Sequence, residues 1–344
     1  MKKADNSELR RSDVPSADLH DGARQNVAAR NTACGRPFTV TAEDAGTRVD
    51  VLASSVFGIT RSQIQQLIEK GLLTVNRLAV KPNYKAKPAD IIALTIPEAG
   101  EKLIPQDLPV RVLYSDDFLV VLDKPAGMVV YPAAGHSSGT LMNAVAHYRT
   151  KLASVGAPLR PGVVHRLDKD TSGVMVVAVD DGAYYGLVEQ FRKRTIDRKY
   201  RAIVYGNLKE DCGKISSRIG RSESDRKKMS TRIRRGKEAV TAWKVLERFG
   251  AATLIEAKLG TGRTHQIRVH FASVGHPVLG DRTYGKKTIL TIHGKKIVFP
   301  RQMLHAELLG FIHPATGEHM EFRTDLPQDM KEIVATLRQL SSVS

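Results

Sequence analysis

Pro161–Gly173, PGVVHRLDKDTSG, is the stretch whose reading decides the fold. It opens with a turn-favouring Pro-Gly and the β-branched pair Val163 and Val164. His165, Arg166, Asp168, Lys169, Asp170, Thr171 and Ser172 then crowd into eight positions before Gly173 and the apolar run VMVVA at 174–178. Apolar runs on both sides predict buried strands, so the polar segment is expected as a loop between two rigid elements. Loops held that way are where binding and catalytic side chains concentrate. A spacer turn would be rich in Gly, Asn and Ser. This one sets carboxylates beside cations.

Outward from that loop the pattern is strand-rich with interspersed helices. VRVLYSDDFLVVLDKPAGMVVYP (110–132) reads as strand, acidic turn, strand and a Lys-Pro-Ala-Gly turn, and HSSGTLMNAVAHY (136–148) as a capped helix. After the loop, DDGAYYGLVEQFRKRTI (180–196) predicts a helix and DRKYRAIVYG (197–206) a strand. TAWKVLERFGAATLIEAKL (241–259) alternates as two strands around Gly250, and GTGRTHQIRVHFAS (260–273) runs from a glycine turn into a helix. QMLHAELLGFIHPATGEHMEFRTDLP (302–327) is strand, turn, strand, and 327–340 an amphipathic helix. Residues 221–237, RSESDRKKMSTRIRRGK, hold eight cations against Glu223 and Asp225 without an apolar period, as an exposed basic loop does.

The N-terminal part differs. Residues 1–36 are polar, mixed in charge and without period, the composition of a disordered arm. From Phe38 a short strand leads to a helix with Val49, Leu52, Ala53 and Val56 on one face. Thr60 then caps RSQIQQLIEKG, whose stripe is Ile64, Leu67 and Ile68 and whose stop is Gly71. Short strands follow to about residue 97. This small module carries Arg61, Lys70, Lys81, Lys85 and Lys87, and 98–110, with a glycine and two prolines, reads as a linker.

The 344 residues suffice for roughly two domains. Lys and Arg number 53 against 36 Asp and Glu, giving +17, a balance that points to nucleic acid. No apolar run approaches the ~18 residues of a spanning helix, and no apolar segment follows the N-terminal lysines, so neither a membrane span nor a secretory signal is expected. Cys34 and Cys212 alone support neither a disulfide framework nor a cysteine zinc site, which suits a reduced, cytoplasmic protein.

Several chemistries fail on spacing. Paired-carboxylate glycoside hydrolysis needs carboxyls ~5–9 Å apart across a bond, which Asp168 and Asp170 in one loop do not offer. A DxDxT phosphatase needs its first Asp directly after a strand, and His165, Arg166 and Leu167 intervene. His265 and His270, five apart, do not share a helix face as metal ligands, and Gly260-Thr-Gly262 lacks the GK[ST] of a phosphate loop. The same phrase supplies Arg263 and Arg268, either of which can orient Asp168 if the fold brings them together. An arginine beside a carboxylate favours its ionised form.

GVVHRLDKDTSG resembles the HRLDxxTSG signature of the RluA-type pseudouridine synthases. DKPAGMVVYP, RKYRAIVYG, TGRTHQIRVH, HPVLGDRTYG and QMLHAELLGFIHPATG resemble that family's other blocks in order, over about residues 110–325. RSQIQQLIEKGLLTVNRLAVKPNYKAKPADII (61–92) resembles the S4 RNA-binding domain, with Ala89 standing where that pattern has Gly. Tyr131 and Ala133 stand where many relatives have His and Gly.

The resemblance implies an α+β catalytic domain at 111–344, a mixed, largely antiparallel sheet with a central cleft and flanking helices. A small S4-like α/β RNA-binding domain at 37–97 precedes it. It implies isomerisation of uridine to pseudouridine in RNA without cofactor or metal. By position, Asp168 is the catalytic nucleophile and Tyr200 the aromatic that packs on uracil and takes part in proton transfer. Arg268 pairs with the carboxylate, and Arg166 helps displace the target nucleotide. Arg263, Arg61, Lys70, Lys81 and Lys85 are expected RNA contacts. Large-subunit ribosomal RNA is the expected substrate and a monomer the expected state. Transfer RNA is the alternative substrate, and a noncatalytic RNA-binding or ribosome-assembly factor is the reading from another class.

Overall fold

The computed structural model describes residues 37–342 except 60, 96–102, 134, 158, 224, 226 and 227. The polar arm and the Thr60 cap lie outside the described residues. The chain divides into two compact units, residues 1–100 and 101–344.

In the first unit β1 (Phe38–Thr39) precedes α1 (Val49–Phe57) and α2 (Arg61–Glu69), followed by β2 (Leu73–Val75), β3 (Leu78–Ala79) and β4 (Ile91–Leu94). The strands form an antiparallel sheet in the order β1-β4-β2-β3. Val49, Leu52, Ala53, Ile64, Ile68, Leu73, Ile92 and Leu94 make its core. Val56, expected on the packed face of α1, is 38% exposed, because α1 buries only residues of its first turns. Gly58 (φ 64°) ends that helix in the left-handed conformation of a C-terminal stop. Asn76 and Arg77, both at positive φ, form the two-residue turn between β2 and β3.

The second unit is built on a ten-stranded sheet. Its elements are β5 (Arg111–Ser115), β6 (Leu119–Lys124), α3 (Leu141–Tyr148), β7 (Ser172–Ala178), α4 (Asp181–Lys193), β8 (Asp197–Tyr205), β9 (Cys212–Arg221) and β10 (Met229–Ser230). Then come β11 (Lys237–Arg248), β12 (Ala252–Leu259), α5 (Gln266–Ser273), the separate hairpin β13 (Ile289–Ile292) and β14 (Lys295–Val298), β15 (Leu304–Ile312), β16 (His319–Arg323) and α6 (Gln328–Ser341). The order is β10-β9-β11-β12-β8-β15-β7-β6-β5, with β16 on β15. Only β15 and β7 pair in parallel, so the sheet is mixed and largely antiparallel, as expected.

β7 is buried along its whole length, and its alternation assigns the two faces. Met175 and Val177 pack in one cluster with Leu141 and Met142 of α3 and Phe271 of α5. Val174 and Val176 pack in another with Ala183 and Leu187 of α4. α6 adds Met330, Ile333, Val334 and Leu337 to a third cluster with Ile203 and Leu254. A strand with helices on both faces is a rigid base for a loop at its end. Residues 103–110, read from composition as linker, are laid along this unit. Leu103 and Val110 join its core, Gln106 N–H donates to Asn143 O (3.0 Å), and Asn143 Nδ2 donates to Ile104 O (2.7 Å).

Candidate active site

The loop before β7 is fixed at both ends by glycines that no other residue replaces. Gly162 and Gly173 adopt φ of 69° and 118°. A Cβ would stand 1.8 Å from Ala178 O at the first and 2.1 Å from Ala306 O at the second. Val163 and Val164, expected as a strand, are unpaired; they pack from an irregular segment, one into each neighbouring core cluster. Steric closeness at Gly162 and apolar anchoring replace ladder hydrogen bonds there.

Four side chains hold the loop's polar part. His165 accepts the Val176 N–H at Nε2 (3.1 Å) and stacks on Phe191, and burial first, then the Arg198 charge, push its pKa down to about 3. Arg301 donates to Asp170 O (3.0 Å) and Leu304 O (3.2 Å) while its Nε holds Asp329 (2.7 Å). Gln302 Nε2 donates to Thr171 Oγ1 (2.8 Å). Lys124, fully buried, donates from Nζ to the carbonyls of Pro125, Met128 and Lys169, matching an ammonium's three donors with three acceptors. Burial lowers its pKa to about 7 against the nearby Asp170 and Asp168 charges.

Asp168 is presented from this frame to α5. Its Oδ2 accepts from Arg268 Nη1 at 2.8 Å, across 100 positions of sequence. Arg268 is 6% exposed, and its Nε and Nη2 clamp Asp281 at 2.7 and 3.0 Å. Burial opposes the guanidinium's charge, but the Asp281 hydrogen bonds and the two carboxylate charges outweigh it and raise its pKa. Asp281 also accepts the N–H groups of Thr283 and Tyr284, so the clamp is itself anchored. The other oxygen of Asp168, Oδ1, faces His265 Nε2 at 3.7 Å, too far for a hydrogen bond.

These residues open on a cavity of about 430 Å³. Asp168, Tyr200, Arg268, Arg166 and Arg263 all line it. Asp170, two positions from Asp168, does not. Tyr200, on β8, is 8% exposed, and burial raises its pKa. Arg166 is exposed, donates from Nη1 to Tyr131 Oη (2.9 Å) and lies over the Tyr131 ring. Arg263 is half-buried and donates from Nε to Glu238 O (3.1 Å). Arg61, Lys70, Lys81 and Lys85 belong to the first unit and are exposed, though Arg61 Nε is already bonded to Asp50 (3.0 Å).

The sequence reading assigned no role to His265, Asp281 or Tyr284. His265 sits at φ 56° just before α5, an uncommon conformation for a residue with a side chain. Its Nδ1 meets the Tyr284 hydroxyl at 2.7 Å, and that hydroxyl accepts the Met229 N–H of β10 at 2.9 Å. The Tyr284 hydroxyl can donate to Nδ1, which selects the tautomer that turns an Nε2–H toward Asp168. One chain of contacts thus runs from the basic segment around β10 to the carboxylate. The available signal was the block HPVLGDRTYG, which holds both Asp281 and Tyr284. Among the described residues no cluster of three or more His, Cys, Asp or Glu is placed to hold a metal ion, and no helix is long and apolar enough to cross a membrane.

Residues 118–273 match the model of the RNA pseudouridylate synthase family, and residues 47–92 that of the S4 domain. An uncharacterized RNA pseudouridine synthase of Bacillus subtilis is 45% identical over 304 residues, 88% of this chain and 98% of the relative. The chain belongs to the RNA pseudouridine synthase family. A ribosomal large subunit pseudouridine synthase D of Zymomonas mobilis is 43% identical over 85% of this chain and 94% of its own length. Its counterpart in Pseudomonas aeruginosa is 41% identical over 88% and 96%. The solved structure of human RNA pseudouridylate synthase domain containing 1 covers 70% of this chain and 97% of its own, with 25% identity and a TM-score of 0.51. Members of this family convert uridine in RNA to pseudouridine.

Proposed function

We propose that the protein converts specific uridines of large-subunit ribosomal RNA to pseudouridine, with Asp168 as the nucleophile. The observation that carries this reading is the pairing of Asp168 with the buried Arg268 in one cavity with Tyr200. The substrate follows the names of the relatives from Zymomonas mobilis and Pseudomonas aeruginosa, together with the S4 domain.

The chemistry is an isomerisation. Asp168 Oδ1 bonds to ribose C1′ as the bond to uracil N1 breaks, the ring turns, and C5 bonds to C1′ as the Asp168–C1′ bond breaks. C5 then loses its proton and N1 gains one, so no net group is added or removed. Asp168, held by Arg268, offers Oδ1 to the sugar, and the salt link keeps the carboxylate from rotating away. Tyr200 supports the uracil and assists the proton's passage. Arg166, exposed at the cavity's edge, fills the place the nucleotide leaves in the RNA stack. Arg263 with Arg61, Lys70, Lys81 and Lys85 neutralise phosphates, and affinity falls with salt accordingly. All these groups lie in one chain, so a monomer suffices, and a reduced cytoplasmic setting suits the exposed free Cys212.

The test is carbodiimide mapping of pseudouridines by primer extension on unmodified large-subunit RNA, with wild-type protein and Asp168→Asn. Stops with wild type alone are expected. Stops with both proteins would remove Asp168 from the chemistry. Tight binding without stops would move the substrate to transfer RNA, and failure there too would leave an RNA-binding factor.

A further inference from the structure

The cavity's cations are nearly all occupied. Arg268 is shared by two carboxylates, Arg166 is bonded to Tyr131, Arg192 to Glu189 (2.6 Å), and Arg263 to Glu238 O. Arg198 is the exception. It is 7% exposed and lines the cavity, yet among the described residues its side chain makes no hydrogen bond and no ion pair. Its Nε is fully buried without an acceptor, and its guanidinium lies over the Phe191 ring at 5.4 Å. His165 beside it offers no lone pair, because Nε2 is taken by Val176 N–H and Nδ1 then carries the proton.

A buried guanidinium without a counter-charge is costly, and proteins keep such groups where a ligand supplies the missing charge. Burial accordingly lowers this arginine's pKa. The backbone makes room for it as well. A Cβ on Gly262 would stand 2.7 Å from Arg198 Nη1, so the guanidinium lies closer to that wall than a residue with a side chain would allow without a shift. Arg198 and Tyr200 are alternate residues of β8, both buried while Lys199 between them is not, so their side chains leave the same face of the strand. Rim cations such as Arg166 and Arg192 are exposed and suit the phosphates, which stay in water. The deep one lies beside the aromatic on which the base rests.

We propose that Arg198 is a catalytic residue that takes up the negative charge reaching the uracil ring when the glycosidic bond breaks. The inference rests on the pseudouridine synthase reading of this cavity. As N1–C1′ cleaves, the electron pair stays on N1 and spreads to the carbonyl oxygens O2 and O4. Arg198 donates to one of those oxygens and keeps its own protons. When C5 bonds to C1′ the pair is consumed, C5 releases its proton, N1 is protonated, and the ring is neutral again. An oriented donor in a dry site, unpartnered before the charge appears, stabilises the transition state more than the bound substrate.

The experiment uses the full chain and single-turnover rates at saturating enzyme, with RNA affinity measured across a salt series. Arg198→Gln is expected to slow the saturated rate by roughly 10²–10³-fold while affinity changes by less than about threefold. Arg198→Met, which removes an unpaired buried charge without leaving a void, is expected to be as slow and to melt a few degrees higher. A saturated rate like wild type in Arg198→Gln would overturn the role. So would a loss confined to affinity with the salt slope reduced by about one, the signature of a phosphate contact. A lower melting temperature for Arg198→Met would mark a packing residue and overturn it too. A wild-type protein that isomerises no RNA would instead bring down the functional reading on which the role rests.

Discussion

Asp50 and Asp168 both sit among guanidinium groups, one in each unit of the chain, and they are finished differently. Asp50 is fully buried and accepts from Arg48 Nε and Nη2, Arg61 Nε (each 3.0 Å) and Gln65 Nε2 (2.7 Å). Asp168 has a side chain 17% exposed and accepts, among the described residues, from Arg268 on Oδ2 alone. The first carboxylate is saturated and ties α1 to α2. The second has one oxygen held and one open to a cavity. Saturation fixes structure, and a deliberate vacancy on an otherwise rigid frame makes a reactive group.

The largest expected effect comes from exchanging each aspartate for its near-isostere. Asp168→Asn should lower single-turnover isomerisation by roughly 10⁴-fold or more while RNA affinity stays within a few-fold, because phosphate contacts are untouched. Asp50→Asn should do the reverse. It should cost the first unit about 1–3 kcal/mol, seen as faster hydrogen exchange in α1 and α2, and leave the saturated rate unchanged. An Asp50→Asn protein that is slow at saturation would break the contrast between a structural and a chemical carboxylate.

Acid separates the units next. His270 and His305 are buried in the second unit, and burial pushes each down to about 4. The unfolded value is near 6.5, so between those values the unfolded chain binds more protons. Their stabilisation is complete above about pH 6.5 and is lost as pH falls toward 4, by about 1.4 kcal/mol per group and pH unit. The described part of the first unit contains no histidine, and its buried Asp50 and Asp90 are both held below the usual carboxylate value. Their contribution persists until the pH drops below about 4. Hydrogen exchange at pH 5 against pH 7 should therefore show weakening in β8, β11 and β15 but not in β2 and β4.

A third test concerns the link from β10 to the site. Tyr284→Phe removes the hydroxyl that joins Met229 N–H to His265 Nδ1. It should cost about 1 kcal/mol in stability and slow the saturated rate roughly tenfold by freeing the imidazole beside Asp168. An unchanged rate would show that Arg268 alone positions the carboxylate.

Local pattern made most of the second unit legible. The alternation of 241–259, the cap before α3 and the turn at Gly250 each rest on neighbours in sequence, and the strands and helix they predict are present. Where position depends on distant partners, local pattern fails. Val163 and Val164 read as strand by composition but are held by the backbone approach of Gly162 to Ala178. The strap at 103–110 looks like linker because its two prolines say nothing of Asn143, some 39 positions from Ile104. The spacing left open whether Arg263 or Arg268 meets Asp168, and only family resemblance chose Arg268. Asp281, which fixes Arg268, lies in the resembling block HPVLGDRTYG but was given no role there, and the Arg198 side chain is notable for lacking a partner among the described residues, which no motif records.

Ala89 gives the smallest effect and tests the structural unit at a single backbone angle. It stands where the S4 pattern has glycine, and it adopts φ 67°, with its N–H bonded to Val40 O at 3.0 Å. The left-handed region crowds a Cβ against its own carbonyl and costs an alanine roughly 1–2 kcal/mol. The turn is kept because Asp90, next along, is tied by Asn76 Nδ2 (2.8 Å), Tyr84 Oη (2.9 Å) and Lys87 N–H (2.8 Å), which fixes the chain on both sides. Ala89→Gly relieves the crowding but also loosens the unfolded chain, so a net gain of about 0.5–1 kcal/mol is expected in the first unit's hydrogen-exchange stability. Isomerisation at saturation should not change. A loss of stability would mean that the alanine methyl packs usefully in that turn, and the strain would then lie elsewhere than at φ.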